Sequence, residues 1–451
     1  MEKLISLAKR RGFIFQSSEI YGGFGAYDYG PLGVELKNNI KKAWWSRFIT
    51  ERPDMFGLDA SILMNPKVWE ASGHLKNFSD PLVDCKKCRK RFRADHLLEL
   101  NSAEPKHEKE KPGEMPKNCP ECGGELTPAR NFNLMLKTFI GPVEDEGAVS
   151  YLRPETAGGI FTNFKNVLNS MRARVPFGIG QIGKAFRNEI TTENWIYRTR
   201  EFEQMEIEYF INPKDWKEKF EEWVEVMKKW CEFLGIKKEN LVLHEIEDQD
   251  RAFYSKRTID FEYKYPFGTK ELYGLAYRTD YDLTQHQKFS GEDLNYTDPV
   301  TGEKFVPHVI EPSLGIDRTV LPVLLEAYTE MEARSGEDDA KHEKEVVLKL
   351  PYALAPIKVA VLPLSKKEPL AEIARKIEMD LRKNFVVQYD ETGSIGKRYR
   401  RQDEIGTPFC VTIDFDSVED KKVTVRDRDT MQQERIEIEK LSEYLREKLR
   451  I

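Results

Sequence analysis

The chain has 451 residues, 40% of them hydrophobic and 11% aromatic, which excludes a disordered polymer and leaves room for two or three domains with real cores. A net charge of −6 excludes a surface that is basic throughout, so any nucleic-acid contact has to be local. No apolar run is long enough to span a membrane, and MEKLISLAKRRGFIFQSS at the start has no apolar leader, so the expectation is a cytoplasmic protein with no membrane contact.

Residues 1–80 mix helical patterning with glycine turns. GGFGAYDYG is followed by no βαβ pattern, so it reads as a Gly-rich turn rather than a dinucleotide fingerprint. YDYGPLGVELKNNIKKAWW (27–45) is a Pro/Gly turn opening a long helix. Residues 81–130 carry Cys85-x-x-Cys88 and Cys119-x-x-Cys122, with 30 residues between the knuckles. In a reducing compartment that spacing predicts a closed, structural Cys₄ metal site, zinc rather than iron the expected ion, against the simpler reading of free thiols; disulfides are not expected. SAEPKHEKEKPGEMPKN, between the pairs, reads as a solvated loop. Cys231 and Cys410 stand alone in apolar patterns and read as core.

From 131 to about 325 strands and helices mix. The clearest helix is 215–234, with Trp216, Phe220, Trp223, Val224, Met227, Trp230, Cys231 and Leu234 on one face. MEARSGEDDAKHEKE (331–345) is a charged break and reads as a linker. Beyond it, IKVAVLPL, EPLAEIARKIEMDLRKN, FVVQYD and PFCVTID alternate strand and helix, predicting a small α/β domain with a largely parallel core. Within that region IGKRYRRQDEIG (395–406) offers Lys397, Arg398, Arg400 and Arg401 for nucleic-acid phosphates, against the simpler reading of a solvated helix face. The seven histidines are scattered without ligand spacing and are assigned no role.

The chemistry concentrates in GKAFRNEITTENWIYRTREFEQMEIEYF (183–210), which predicts an antiparallel hairpin with a long loop. Alternation puts Arg198, Arg200, Phe202, Gln204, Glu206 and Glu208 on one face of the second strand, and Met205, Ile207 and Tyr209 behind it. Arginines, an aromatic ring and carboxylates on one sheet face suit a charged, planar ligand such as a nucleotide; the simpler alternative is an exposed face laced with ion pairs. Downstream, HVIEPSLGIDRTVLPVLLEAY (308–328) sets Glu311, Ser313 and Arg318 around a strand-to-helix junction.

Together these segments resemble motifs 1, 2 and 3 of the class II aminoacyl-tRNA synthetases. RPETAGGIF, FRNEI, RTREFEQMEIEYF and EPSLGIDR are similar to strings of the single-chain glycyl-tRNA synthetases, and the likeness spans essentially the whole chain. Two departures are Gly158, where that family is expected to have Gln, and the wording of the TTENWIY loop. The resemblance implies an α+β fold: a catalytic domain built on an antiparallel sheet flanked by helices (1–80 and 131–345), a zinc-ribbon-like insertion (81–130) and an anticodon-binding α/β domain (346–451). It implies a homodimer that attaches glycine to tRNA(Gly) through a glycyl-adenylate, using ATP with Mg²⁺.

Carried over residue by residue, the resemblance gives Arg187 to the α-phosphate, Arg318 to the γ-phosphate and one face of adenine, and Phe202 to the other face. Glu189 joins the two arginines as catalytic. Asn188, Tyr197, Arg198, Thr199, Arg200, Glu201, Glu271, Leu272, Gly315, Ile316 and Asp317 complete the ATP set, with Glu271 a candidate Mg²⁺ ligand. Glu155, Glu206 and Glu311 surround the glycine ammonium beside Ser313, with Arg93, Phe202, Glu203, Gln204, Met205, Pro312, Leu314 and Gly315 nearby. The competing readings are a synthetase for threonine, proline or serine, a catalytically inactive synthetase-like nucleic-acid-binding protein, and a zinc-ribbon adaptor. The glutamate triple and EPSLGIDR oppose the first. Arg187, Arg198 and Arg318 have no purpose in the second, and the hairpin is unexplained by the third.

Overall fold

The computed structural model describes residues 1–103, 115–252, 254–332 and 344–449. Helix α1 (Pro31–Trp45) opens on proline, which suits a first turn whose amides have no intrahelical acceptor. Leu36, Ile40 and Trp44 recur every four residues and are buried. At Gly33 a Cβ would lie 1.8 Å from the Phe13 carbonyl, so only glycine permits this packing. Strand β1 (Met55–Gly57) follows.

The insertion holds β2 (Ser79–Asp84), β3 (Arg91–Arg93), helix α2 (Ala94–Ala103) and β4 (Arg130–Asn133). Its strands pair antiparallel in the order β3-β2-β4. Most of the loop expected between the cysteine pairs lies outside the described residues, although α2 runs into its first residues.

Helix α3 (Ala157–Thr162), strands β5 (Phe177–Phe186) and β6 (Glu201–Ile211), helix α4 (Trp216–Phe233), strands β7 (Leu241–Glu245), β8 (Arg257–Tyr265) and β9 (Gly268–Thr279), helix α5 (Tyr281–Ser290), strand β10 (His308–Gly315) and helix α6 (Ile316–Ala327) build the central layer. Its seven strands run in the order β7-β8-β9-β10-β6-β5-β1. All neighbours are antiparallel except the edge pair β5 and β1. The expected hairpin is present, with Phe186 opposite Glu201. Met205, Ile207 and Tyr209 enter the main core with Trp44, Trp223 and Met227. The opposite face of β6, through Gln204, Glu206 and Glu208, is buried as well, and it ends at Phe210 against Phe161 and Phe164.

The ends of the expected linker are not free. Strand β11 (Tyr328–Glu332) pairs antiparallel with β12 (Lys344–Leu348), and residues 333–343 lie outside the described residues. Strand β13 (Val359–Pro363), helix α7 (Leu370–Leu381), β14 (Val387–Tyr389), helix α8 (Ile395–Ile405), β15 (Phe409–Ile413), β16 (Lys422–Asp427), β17 (Gln433–Glu437) and helix α9 (Leu441–Leu449) form the second layer. Its sheet order is β14-β13-β15-β16-β17. The three strands expected from the alternation, β14-β13-β15, are parallel, and β16 and β17 extend the sheet antiparallel. Strands β16 and β17 are joined by a tight turn over RDT, and so short a connection can only reverse the chain. Asn39 of α1 donates to the carbonyls of Leu354 and Ala355 (3.2 and 3.0 Å), tying the two layers together.

Candidate active site

The loop from β5 to β6 folds back over the sheet. It brings Arg187, Glu189, Tyr197, Arg198 and Thr199 into one cleft with Phe202 and Gln204 of β6, Glu271 and Leu272 of β9, and Ser313, Gly315, Asp317 and Arg318 of the β10–α6 junction. Arg187 donates through Nε to the Pro154 carbonyl at 3.1 Å, and its guanidinium lies 5.2 Å from the centre of the Phe202 ring. Arg318 pairs with Glu271 at 3.0 Å and sits over the Tyr197 ring at 4.7 Å. That guanidinium holds the Glu271 carboxyl below its ordinary range. The Tyr197 hydroxyl donates to the Glu271 carbonyl (3.0 Å), and Arg198 lies 3.7 Å from Glu189. Guanidinium groups facing rings and carboxylates make this end a surface for a flat anion.

Gln204 and Ser313 lead from the cleft to a carboxylate cluster. Both donate to Glu206 Oε1, at 3.0 and 2.8 Å, while Glu206 Oε2 takes the amide of Thr156 at 3.0 Å and its hydroxyl. Burial raises the Glu206 carboxyl, and Glu155 adds to the rise. Glu155 lies 3.3 Å from His74 Nε2, and Ser72 Oγ is 2.8 Å from the other ring nitrogen. Burial pushes Glu155 up, but His74, then Arg278 and Arg187, outweigh it and hold that carboxyl at about 2. Glu311 accepts from Arg278 Nη1 at 2.7 Å, and the remaining nitrogens of Arg278 take Asp282 bidentately at 2.7 and 2.8 Å. Glu206, Glu208 and Glu311 each bring an oxygen within 4.8 Å of the others. Several carboxylates enclosing so small a space favour a compact cation with N–H donors.

Some of the expected contact residues lie elsewhere. Glu203 faces the other side of β6 and pairs with Lys37 and Lys41 at 2.9 and 3.2 Å, while Met205 is in the main core. Leu314 and Ile316 are core residues, and Pro312 takes the face of β10 opposite to Glu311. Asp317 borders the cleft but is held by the Tyr29 hydroxyl (2.6 Å) and the Glu203 amide (2.9 Å). Glu201 is exposed and paired with Lys184, the Arg200 Nε donates to the Glu189 carbonyl (3.1 Å), and the Asn188 amide donates to the Leu134 carbonyl (2.8 Å). Arg93 is clamped by Asp80 and Asp95 at 2.5 and 2.6 Å. Gly158 backs onto Trp69, and a Cβ there would lie 2.9 Å from that ring, so Gln does not fit this chain without repacking. Sequence reasoning missed His74, Arg278 and Asp282, and it placed Glu208 on the face without giving it a part. The one available signal was the charge pattern in YRTDYD, where Arg278 and Asp282 stand four apart across a strand-to-helix junction.

The cysteine pairs converge. Cys85 and Cys122 sulfurs are 3.5 Å apart, Cys88 and Cys119 sulfurs 3.8 Å, and all four lie within 4.8 Å of one another. Sulfurs about 2.3 Å from a tetrahedral zinc stand roughly 3.8 Å apart, so the donor set fits that ion. At Gly124 a Cβ would press to 3.2 and 3.3 Å from the Cys85 and Cys122 sulfurs, so the absence of a side chain keeps this cradle open. The Cys88 amide donates to Cys85 Sγ and holds that thiol down at about 6.

The basic helix α8 corrects its expectation. Arg398 is buried and donates to the Pro363 carbonyl at 2.6 Å; Arg401 takes Asp390 at 2.6 Å, and Arg400 reaches Glu345 at 2.5 Å. Of the four expected phosphate ligands, Lys397 alone is exposed.

An antiparallel sheet with an arginine-lined cleft, followed by a separate α/β sheet, is the build of a class II tRNA synthetase. Residues 142–328 match the family model "tRNA synthetase class II core domain (G, H, P, S and T)", and residues 358–448 match "Anticodon binding domain". The glycine–tRNA ligase of Caldanaerobacter subterraneus subsp. tengcongensis is 55% identical over 463 aligned residues, covering 100% of this chain and 98% of the relative. That of Alkaliphilus oremlandii is 56% identical with the same coverage, and that of Thermobifida fusca is 54% identical over 456 residues. The chain belongs to the glycine–tRNA ligase family. No helix among the described residues is long and apolar enough to cross a membrane.

Proposed function

We propose that the protein joins glycine to tRNA(Gly) in two steps at the cleft, as its family membership and full-length identity support. In the first, a carboxylate oxygen of glycine attacks the α-phosphorus of ATP, and the bond to pyrophosphate breaks. In the second, the tRNA 3′-terminal hydroxyl attacks the adenylate carbonyl and AMP leaves. A carboxylate is already a nucleophile at neutral pH, so the protein's task is positioning and charge stabilisation rather than proton abstraction. Arg187 takes the α-phosphate, Arg318 the γ-phosphate, and adenine lies between Arg318 and Phe202. Glu271 is the candidate ligand for Mg²⁺, which neutralises phosphate charge. Glu155, Glu206 and Glu311, with Ser313, take the ammonium, and a site closed around it rejects larger amino acids by crowding.

The observation that carries this reading is the continuity of the two ends, since Gln204 and Ser313 border the arginine cleft and also hold Glu206. The chain is read as two catalytic segments (1–80 and 131–345), a zinc-holding insertion (81–130) and an anticodon-binding domain (346–451), working as a cytoplasmic homodimer. Amino-acid-dependent ATP–pyrophosphate exchange, run with all twenty amino acids, tests the assignment. Exchange with glycine alone is expected. Exchange with another amino acid discards the pocket, and no exchange from folded, metal-replete protein discards the enzyme. Cys119→Ser should lose bound zinc on elemental analysis, and an unchanged content would refute the Cys₄ site.

A further inference from the structure

One buried carboxylate in the site has no partner. Glu208 lies two residues beyond Glu206 on β6, is wholly enclosed, and has neither oxygen in a hydrogen bond. The charged groups facing it are Glu206 on its own strand, Glu311 on β10, Arg278 on β9 and Asp282 on α5, with Glu155, His286 and the Tyr254 phenol, whose ring centre lies 3.9 Å from the Arg278 guanidinium, around them. Helix α3, which packs across this face, has no titratable side chain. Three Arg278 donors are used, two on Asp282 and one on Glu311, and none is in a hydrogen bond with Glu208.

An ionised carboxylate here would add a third buried charge beside two others with no donor bonded to it. A proton on Glu208 removes that cost and needs an acceptor. Both oxygens of Glu206 are already engaged, by Gln204 and Ser313 and by Thr156. Glu311 uses one oxygen on Arg278, and its second takes no hydrogen bond among the described residues.

We propose that Glu208 is a protonated positioning residue: its O–H donates to Glu311 and fixes the Glu206–Glu311 pair at the spacing that takes one ammonium group. This deepens the glycine reading and rests on it for the identity of the ammonium. Burial, with Glu311 next, drives the Glu208 carboxyl far above its usual range. Burial raises Glu311 as well, to about 8 even with Arg278 pulling it down, but Glu311 holds the Arg278 guanidinium at 2.7 Å and Glu208 holds no donor, so of the two Glu311 is the one that takes the negative charge. With Glu208 neutral the trio carries at most two charges instead of three. That lowers its pull on divalent cations, which seek fully ionised oxygen cages, while a monovalent ammonium keeps the charge of Glu206 and the accepting oxygens of Glu311.

The test compares Glu208→Gln, which keeps the shape and a donor, with Glu208→Ala. In glycine-dependent exchange the Gln variant should keep KM for glycine within about threefold of wild type, and the Ala variant should raise it at least about tenfold with KM for ATP nearly unchanged. Two readouts do not depend on glycine being the substrate. First, the thermal midpoint of wild type should fall relative to the Gln variant as pH rises from about 5 to 8, because an acid whose pKa is raised by folding stabilises at low pH and loses that contribution as pH climbs. Second, the infrared difference between the two proteins at neutral pH should contain the carbonyl stretch of a protonated carboxylic acid. A missing acid band, a pH-independent midpoint difference, or a Gln variant as impaired as the Ala variant overturns the proposal. A wild-type enzyme that activates another amino acid yet shows the band sinks the glycine reading and leaves the proton on Glu208.

Discussion

Arg187, Arg198 and Arg318 meet across the cleft beneath the β5–β6 loop, whereas Arg398 and Arg401 turn from α8 into their own domain and Arg400 reaches Glu345 of β12. The two sets are the same residue type at similar local density. They differ in what satisfies them. In α8 the partners are backbone carbonyls and nearby carboxylates, and Arg398 itself is enclosed. In the cleft Arg187 also holds the Pro154 carbonyl, but the other partners are ring faces, the buried carboxylate of Glu189 at 3.7 Å and the solvent-reached carboxylate of Glu271. A phosphate can replace the ring faces and Glu271 without leaving a buried group unpaired. Clustered arginines therefore mark an anion site only where their partners are exchangeable.

The sharpest way to break this comparison is to remove one arginine from each set. Arg187→Ala should lower glycine-dependent exchange by about 100- to 1,000-fold, the loss typical of a missing transition-state donor, and leave the melting curve in place. Normal exchange in that variant would mean that the cleft is not the reaction site. Arg398→Ala should do the reverse. It leaves the Pro363 and Asp390 carbonyls short of a donor, costs about 1–3 kcal/mol of stability by chemical denaturation, and spares exchange at temperatures where the protein stays folded. An exchange defect without destabilisation would put α8 in the chemistry after all.

The carboxylate end of the site sharpens the contrast, because there a histidine, not an arginine, is the side chain paired with Glu155. The Glu155 carboxyl is depressed to about 2 from an ordinary 4.5, so it contributes stability above the ordinary value that is lost as pH falls towards 2. Replacing the imidazole by His74→Gln raises the folded-state value and should move the acid-unfolding midpoint upward by roughly half a unit to one unit. A midpoint that stays put would show that Arg278 and Arg187 suffice.

What could be read in advance follows from range. The β5–β6 hairpin, helix α4 and the β10–α6 junction were legible because their periodicity is written in consecutive residues. His74 was not, because it meets Glu155 across 81 residues of chain and has no local signature. Glu203 and Met205 were expected at the glycine site because a motif is copied as a contiguous string, while a strand delivers only every second side chain to one face. The alternation of β6 already separated them from Gln204 and Glu206. The expected phosphate contacts of α8 failed for a related reason: composition reports charge, but the acceptors that consume it come from Pro363, Asp390 and Glu345 elsewhere in the chain.

Lys397 is the remaining candidate of that helix and should have the smallest effect. Its side chain is exposed on α8, and a lysine that meets a phosphate acts as a point charge. Lys397→Ala should therefore weaken tRNA binding only about two- to fivefold near physiological salt and reduce the slope of log affinity against log salt by about one. Exchange, which needs no tRNA, should not change. A slope that is unaltered would leave α8 with no phosphate contact. The anticodon-binding domain would then have to meet its nucleic acid through another face, and the contrast between the two arginine sets would extend to the whole helix.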